Sequence, residues 1–388
     1  MQSRPEMLRR LNERRIINEI RVQTSLSRAE LARRLQLAMP TVSRIVDHLL
    51  EEGWLREVGQ GDSSGGRPPV LVEVNSEGPI AIGVGMQRQR VRIVFVNLLG
   101  HIRKRYDFPL SSITSPDLLV GLLKKIMEEN IFESSRILGL GIAVPGSLDA
   151  TNSVLLNPTR FPGAWVGVNI VSLIQQQLQV TVRLENDANA AALAESWFGF
   201  NSAVRDTLFV LYEGGLGAGV VIAGSVYHGM HHAAGEFSHT LVSIGNGHRC
   251  DVCGRVGCLN AMTSPYLIEE RVYRLRERQP GESIDNIMEQ AAAGNEPDKT
   301  VVERALEFVS TGIANLLQVL DCAEVVLGGE LFLHHPHFTD GVVQRVRELG
   351  YKDVPMMTTG FGVDAVAVGA SALILQDVYN PMTLVMAD

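Results

Sequence analysis

No apolar stretch in these 388 residues reaches the ~20 that a bilayer-spanning helix needs; the nearly apolar run from Ala365 to Leu375 falls far short. The N-terminus, MQSRPEMLRRLNERR, is charged but has no apolar core behind it, which argues against a secretory signal. A cytoplasmic protein is therefore expected. Cysteine is scarce, four in all, and an odd three of them fall within nine residues. That count argues against a disulfide framework in a chain with no sign of secretion. Lysine is absent from residues 1–50, which carry ten arginines against five acids, a net of +5. The whole chain carries −8, so the remainder carries −13. A basic head on an acidic body is the layout expected when only the head meets nucleic acid. Apolar residues at 45% and charged residues at 20% are ordinary for a globular protein, and the length suggests two or three domains.

The cysteine cluster lies in GEFSHTLVSIGNGHRCDVCGRVGCLN, residues 235–260. His239 stands eleven residues before Cys250, close to the acid Glu236, and Cys253 and Cys258 follow. Gly254 and Gly257 sit where a thiolate knuckle must turn tightly. One imidazole and three thiolates make a closed tetrahedral set, the arrangement of structural Zn2+. Three thiols that never meet a metal are the plain alternative. His248 is a substitute ligand if His239 is out of reach.

In the head, Leu8, Leu11, Ile16, Ile17 and Ile20 recur at helical spacing and predict an amphipathic helix over residues 5–22. A second helix begins at Ser27, with Glu30 completing a capping box, and stops near Gln36. A third runs from about Met39 to Glu52 and buries Val42, Ile45, Val46, Leu49 and Leu50. Two short helices joined by a tight turn describe a helix-turn-helix, whose second helix enters the major groove N-terminus first. Its outward residues there are Met39, Pro40, Thr41, Ser43 and Arg44, suited to phosphates, guanine edges and thymine methyls. Strands at 54–58 and 70–74 flank the turn-rich GQGDSSGGRPP, a wing that offers Arg67 to the minor groove. A packing module with no DNA role is the alternative.

In the body, residues 80–109 and 208–229 each read strand, glycine turn, strand, turn, strand, with helical patterns at 117–128 and 188–197. A duplicated β-β-β-α-β plan predicts two similar lobes around a ligand cleft. LGLGIAVPGSLD (138–149) reads as a buried strand ending in a Pro-Gly turn, and NPTRFPGAW (157–165) as a loop. ENDANAA, after a strand at 180–184, sets Asn186 and Asp187 at a helix start. Asp187 is then either a helix cap or a carboxylate able to bind or deprotonate a sugar hydroxyl.

LSRAELARRL…TVSRIVDHLLEEG and GGRPP in the head, with AVPG, NPTRFPGAW, ENDANAA, AGEFSH and CGRVGCLN in the body, resemble the ROK family of sugar kinases and sugar-responsive repressors. The resemblance covers the whole chain and follows the Mlc/NagC type of repressor. It implies an α/β fold: an N-terminal winged helix-turn-helix followed by a two-lobed actin-like, hexokinase-like ATPase-type body. The expected divisions are 1–75 for the head, 76–190 for the first lobe with 366–388 packing back onto it, and 191–365 for the second lobe with its zinc. The resemblance implies effector contacts at Gly146, Asn157, Asn186, Asp187, Glu236 and His239, with Asn260 in place of a sugar-binding glutamate. It makes Asp187 the vestige of a kinase's base, and His239, Cys250, Cys253 and Cys258 the zinc ligands.

Where the family's kinases carry Asp-x-Gly-Gly-Thr, this chain has Gly85-Met86-Gln87-Arg88-Gln89, and where they carry Gly-Thr-Gly it has Glu213-Gly214-Gly215. Both departures fall on the nucleotide side, where a glutamate facing triphosphate repels it. The cysteines are spaced Cys-x2-Cys-x4-Cys, one residue longer than the family's usual first interval. The expectation is a repressor without enzyme activity, a homodimer or dimer of dimers on a palindromic operator. A sugar or sugar phosphate closing the cleft weakens its hold on DNA. A sugar kinase that gained a DNA-binding head, and a regulator sequestered by a membrane sugar transporter subunit, are the alternatives.

Overall fold

A computed structural model describes residues 4–61, 68–130, 136–146, 148–149, 154–155, 162–199, 206–243 and 248–379. The head comprises α1 (Arg4–Gln23), β1 (Ser25–Ser27), α2 (Arg28–Leu35), α3 (Met39–Glu51), β2 (Leu55–Gln60) and β3 (Val70–Val74). Ser27 caps α2 as its sequence predicts: its hydroxyl accepts from the Glu30 amide, and the Glu30 carboxylate accepts from the Ser27 amide at 3.1 Å. Gln36 ends α2 in the left-handed conformation, φ 54°. The wing sheet has the order β1-β3-β2. Its third strand, β1, is only three residues long, too short to carry an alternation signal in sequence. Arg67 lies outside the described residues.

The body's first sheet contains β4 (Ile80–Met86), β5 (Arg90–Asn97), β6 (Ile102–Pro109) and β7 (Ile137–Val144), with α4 (Pro116–Glu129) between the last two. A short hairpin, β8 (Leu148–Asp149) with β9 (Val154–Leu155), and α5 (Ile170–Leu178) lead to β10 (Val182–Asn186). The order is β10-β7-β4-β5-β6, antiparallel through β4, β5 and β6 and parallel from β4 to β7 to β10. Next come α6 (Asp187–Phe198), β11 (Thr207–Tyr212), β12 (Leu216–Ile222), β13 (Ser225–Val226), α7 (Leu259–Thr263), α8 (Pro265–Tyr273), α9 (Ile284–Ala292) and α10 (Asp298–Leu320). The chain closes with β14 (Glu324–Gly328), α11 (Glu330–His334), α12 (Pro336–Glu348), β15 (Met356–Thr358) and α13 (Ala365–Tyr379). The second sheet, β13-β12-β11-β14-β15, repeats the plan of the first: three antiparallel strands, then two parallel ones. Every residue of β4 is buried, as a strand covered on both faces requires.

Helices α6 and α13 lie between the sheets, α13 on β4 and β7, α6 on β11 and β12. The stretch Gly362–Tyr379 matches a membrane span by length and composition, but 72% of it is buried inside the fold. Residue 190, where the sequence reading divides the lobes, falls inside α6, since this helix follows β10 without a loop and packs against both α13 and the second sheet. The two helices touch through small residues. A Cβ on Gly369 would lie 1.8 Å from the Ala190 carbonyl oxygen, and one on Gly141 of β7 would lie 1.7 Å from that of Ala370. Gly369→Val is therefore expected to cost about 3 kcal/mol, because backbone must move to admit the side chain. Chemical denaturation measures it, and a change under about 1 kcal/mol would mean the crossing is loose.

Head and body share one core. Ile16, Ile17 and Ile20 of α1 pack in the same buried cluster as Ile374, Leu375 and Tyr379 of α13.

Candidate functional site

A cavity of about 430 Å³ opens between the lobes, within the range of small-ligand pockets. It lies beyond the carboxyl ends of β7 and β10, where ligands of parallel sheets collect. Gly146, Asn186, Asp187, Glu236, His239 and Asn260 all line it, so the structure brings together every described residue that sequence comparison proposes. Asn157 lies outside the described residues.

These side chains have different tasks. Asn186 ends β10 and caps α6, its Oδ1 accepting from the amides of Ala188 at 2.9 Å and Asn189 at 3.2 Å. Its Nδ2 donates to the Gly146 carbonyl at 3.2 Å, in a turn where Gly146 has φ +88°. With both ends of its amide engaged by the fold, Asn186 positions its neighbour. That neighbour, Asp187, faces the cavity. Burial, opposed by its bond from the Ala188 amide and assisted by the charge of Glu236, pushes the Asp187 carboxyl up to about 7. Burial also raises Glu236.

Sequence reasoning missed the opposite wall. Glu185 Oε2 lies 2.7 Å from His228 Nε2 and joins β10 of the first sheet to the segment after β13 of the second. Burial works against the Glu185 charge, but the His228 hydrogen bond and positive charge hold its pKa below the ordinary carboxylate value. His228 is raised by the same bond, and its ring centroid lies 5.2 Å from that of His232. The signal was present as YHGMHH, three histidines in five residues just ahead of AGEFSH.

At the other end of the cleft a polar network crosses between the lobes. Gln87 Nε2 donates to Glu213 Oε1 at 2.6 Å, and buried Arg92 donates to Gln87 and, at 2.7 Å, to Glu330. Burial and the nearby Glu330 charge push Glu213 up to about 8. Asp187 and Glu213 thus hold protons in the folded chain at pH values where ordinary carboxyls, near 3.8 and 4.5, have lost them. Stability must therefore fall as pH rises from about 4 to about 8 through these two groups. Asp187→Asn and Glu213→Gln are each expected to flatten that slope and to exceed the wild type by about 1–2 kcal/mol at pH 8.5. Denaturation at pH 5.5 and 8.5 checks this; variants that keep the wild-type slope would contradict it.

His239 ends a tight helical turn, Phe237–His239. Its Nδ1 lies 3.8 Å from the sulfur of Cys250 and 4.0 Å from that of Cys258, and the Cys253 and Cys258 sulfurs are 3.8 Å apart. The four donor atoms lie within 4.8 Å of one another. A tetrahedron of ~2.3 Å zinc–sulfur bonds spaces its sulfurs by about 3.8 Å, so the donor set fits Zn2+. Gly254 and Gly257 turn the knuckle at φ +70° and +76°. His239 Nε2 points the other way, 3.9 Å from Glu236. Asn260 is buried and donates to the Cys250 sulfur at 3.6 Å, so its amide nitrogen serves the thiolate cluster from within the cavity wall. His248 is not part of the cluster.

On α3, Val42, Ile45, Val46 and Leu49 are buried, which turns Met39, Pro40 and Arg44 to solvent and leaves Thr41 and Ser43 half-buried. Arg28 beside them is occupied by Asp47 at 2.8 Å and Glu57 at 3.5 Å.

A winged helix-turn-helix head on a two-lobed, hexokinase-like body defines the class. A ROK family model matches residues 80–377, and the chain belongs to that family; a MarR family model matches residues 11–57. The chain is similar to a xylose repressor of Caldicellulosiruptor bescii, 28% identical across 96% of this chain and 98% of that one. It is also similar to the DNA-binding transcriptional dual regulator NagC of Escherichia coli, 26% identical across 84% and 82%. Among solved structures it resembles a ROK family transcriptional regulator, a homolog of the E. coli MLC protein, over 98% of both chains, with a TM-score of 0.80 at 24% identity. The ROK hexokinase from Thermus thermophilus matches 77% of this chain and 99% of its own, with a TM-score of 0.67 at 26% identity.

Proposed function

We propose that this chain is a cytoplasmic, sugar-responsive DNA-binding repressor. The observation that carries the reading is a helix-turn-helix whose buried core is continuous with a body that holds a sugar-sized cleft. Met39, Pro40, Thr41, Ser43 and Arg44 meet the major groove, and Arg67 on the wing meets the adjacent backbone or minor groove. Two heads on a homodimer or dimer of dimers bind a palindromic operator. In the cleft, Asp187, Glu236 and His239 accept from or donate to the hydroxyls of a sugar or sugar phosphate, with the Gly146 turn beside them and Asn157 completing the set. Structural Zn2+ held by His239, Cys250, Cys253 and Cys258 pins one wall of that cleft and leaves no coordination position for chemistry.

The same body lacks what phosphoryl transfer needs. Gln87, Arg92, Glu213 and Glu330 fill the corner where phosphates would lie, so a triphosphate would have to displace the Gln87–Glu213 and Arg92–Glu330 contacts and would meet the Glu330 carboxylate. At Gly85, in place of the kinases' aspartate, a Cβ would come within 2.9 Å of the Ala367 amide nitrogen. A kinase reading draws on one fact: Asp187, near pH 7, is poised as a general base. Coupled ADP-release assays across hexoses, pentoses and N-acetylhexosamines separate the two, and steady turnover would overturn the repressor-only reading. Sequencing of genomic DNA captured by the purified protein tests the DNA side. The expected outcome is a palindromic site upstream of sugar-uptake or sugar-metabolism genes, and capture without sequence preference would refute it.

A further inference from the structure

Arg21, near the end of α1, ties the head to the body. Its guanidinium carbon lies 5.1 Å from the ring centroids of both Trp197 and Tyr379, which stack on each other at 5.7 Å. Its Nη1 donates to the Trp197 carbonyl at 2.8 Å, and Asn18 accepts from Nε at 3.3 Å and Nη2 at 3.2 Å. Among the described residues no carboxylate lies within ion-pairing distance of it. Apart from Asn18 on its own helix, the half-buried cation is held by two rings and a carbonyl of the body, so its solvation depends on their placement.

The Trp197 carbonyl belongs to the last turn of α6, which ends at Phe198. Carbonyls of a last turn have no partner inside their own helix, and a cation there also meets the negative pole of the helix dipole. Thus α6 is capped at its carboxyl end by a residue of the DNA-binding head. Its amino end is capped by Asn186, and its first residue is Asp187 in the cleft. Twelve helical residues span ~18 Å, so one stiff element ends in both places. The second ring of the clamp is coupled to the same element. Tyr379 ends α13, which crosses α6 where Gly369 meets the Ala190 backbone, and its hydroxyl donates to the Leu98 carbonyl. A displacement of α6 at the cleft therefore reaches both faces that hold Arg21.

We propose that Arg21 is the positioning residue through which the effector cleft controls the head, reading the place of α6 at Trp197. The proposal rests on the repressor reading above. Contact of an effector with Asp187 shifts α6 along or about its axis, the Trp197 carbonyl and ring move with it, and Arg21 carries α1 and the attached helix-turn-helix to a new orientation.

Two measurements on the full chain test this, with Arg21→Met removing the charge and Arg21→Lys keeping it without the planar fork. The first is amide hydrogen exchange without any ligand. Arg21→Met is expected to speed exchange about threefold or more both at residues 196–199 and at the cleft end of α6, residues 188–190, with Arg21→Lys intermediate. Loosening confined to residues 16–23, with the cleft end as protected as in the wild type, overturns the proposal and leaves a local strut. The second uses operator DNA with D-xylose or N-acetylglucosamine as probes. For a sugar that binds, Arg21→Met is expected to hold it within about twofold of wild-type affinity while the ratio of operator affinities with and without sugar falls toward one. A wild-type ratio overturns the proposal. If neither sugar binds the wild type, the choice of these sugars as effectors fails, and the exchange measurement still decides the role of Arg21.

Discussion

Cys253→Ser is expected to unfold the second lobe under conditions that leave the wild type intact. The knuckle from residue 248 to Cys258 has little apolar packing of its own: Cys250, Cys258, Ala261 and Leu267 form a separate, small cluster. Among the described residues it is attached to the fold by single hydrogen bonds, such as the Leu259 amide to the Thr240 carbonyl, the Val242 and Ser243 amides to the Gly257 carbonyl and Arg255 to the His239 carbonyl. With the proposed zinc in place, its bonds to His239 and the three thiolates would be the main tie. Structural zinc sites contribute about 10–16 kcal/mol in small peptides. Losing even a third of that should lower the melting temperature by roughly 10 °C in a lobe of this size. A strong chelator should do the same to the wild type and nothing further to the variant. Calorimetry with metal analysis checks both: one zinc per chain and a large shift are expected, and an unchanged melting temperature in a metal-free preparation would contradict the site. The cleft should fail with the knuckle, because Asp251, Val252 and Cys253 line the cavity beside His239.

Asp187→Ala is expected to leave operator binding intact and to abolish the response to sugar. The carboxylate faces the cavity from the first turn of α6 and lies a helix length from the head, so its loss would remove the proposed effector contacts without touching the DNA surface. A charge-assisted hydrogen bond contributes about 1.5–3 kcal/mol, and two such bonds to adjacent hydroxyls correspond to a loss of about 100-fold or more in effector affinity. The result would be a repressor that stays on its operator. Calorimetric titration with the effective sugar, alongside anisotropy on labelled operator, reads both quantities. A variant that still releases DNA at wild-type sugar concentrations would place the effector elsewhere. In Asp187→Asn, loss of sugar binding is expected together with the gain in stability at high pH given above, as removing a buried ionisable carboxyl from a binding site predicts.

The fold was legible in sequence wherever periodicity ran long enough to show it. The capping box at Ser27 and Glu30, the apolar face of α3 and the two three-stranded runs were all readable, because local rules decide them. The lobe division was not, because α6 begins the moment β10 ends and serves two neighbours at once. In the cleft, Asp187, Glu236 and His239 could be named from motifs, but their partners could not. The Glu185–His228 pair joins positions 43 residues apart, and the Gln87–Glu213 contact joins positions 126 apart. No spacing rule reaches that far. Asn186 shows the converse case: its motif marks it as a ligand contact and it lines the cavity, while its geometry adds a task the motif does not show, a cap that holds Asp187 in place. Arg21 gave no signal at all among ten head arginines, since what distinguishes it is the pair of rings waiting on the body.

Communication between cleft and head is what makes the protein a sugar-responsive repressor. The most direct measurement is anisotropy of a labelled operator fragment with the purified chain at one fixed salt concentration. It is run with and without D-xylose, D-glucose, N-acetylglucosamine and their phosphates. Sequence-specific binding that weakens about 10-fold or more with one of these sugars is the predicted result. Binding that is equal on unrelated DNA, or that no sugar alters, would contradict it.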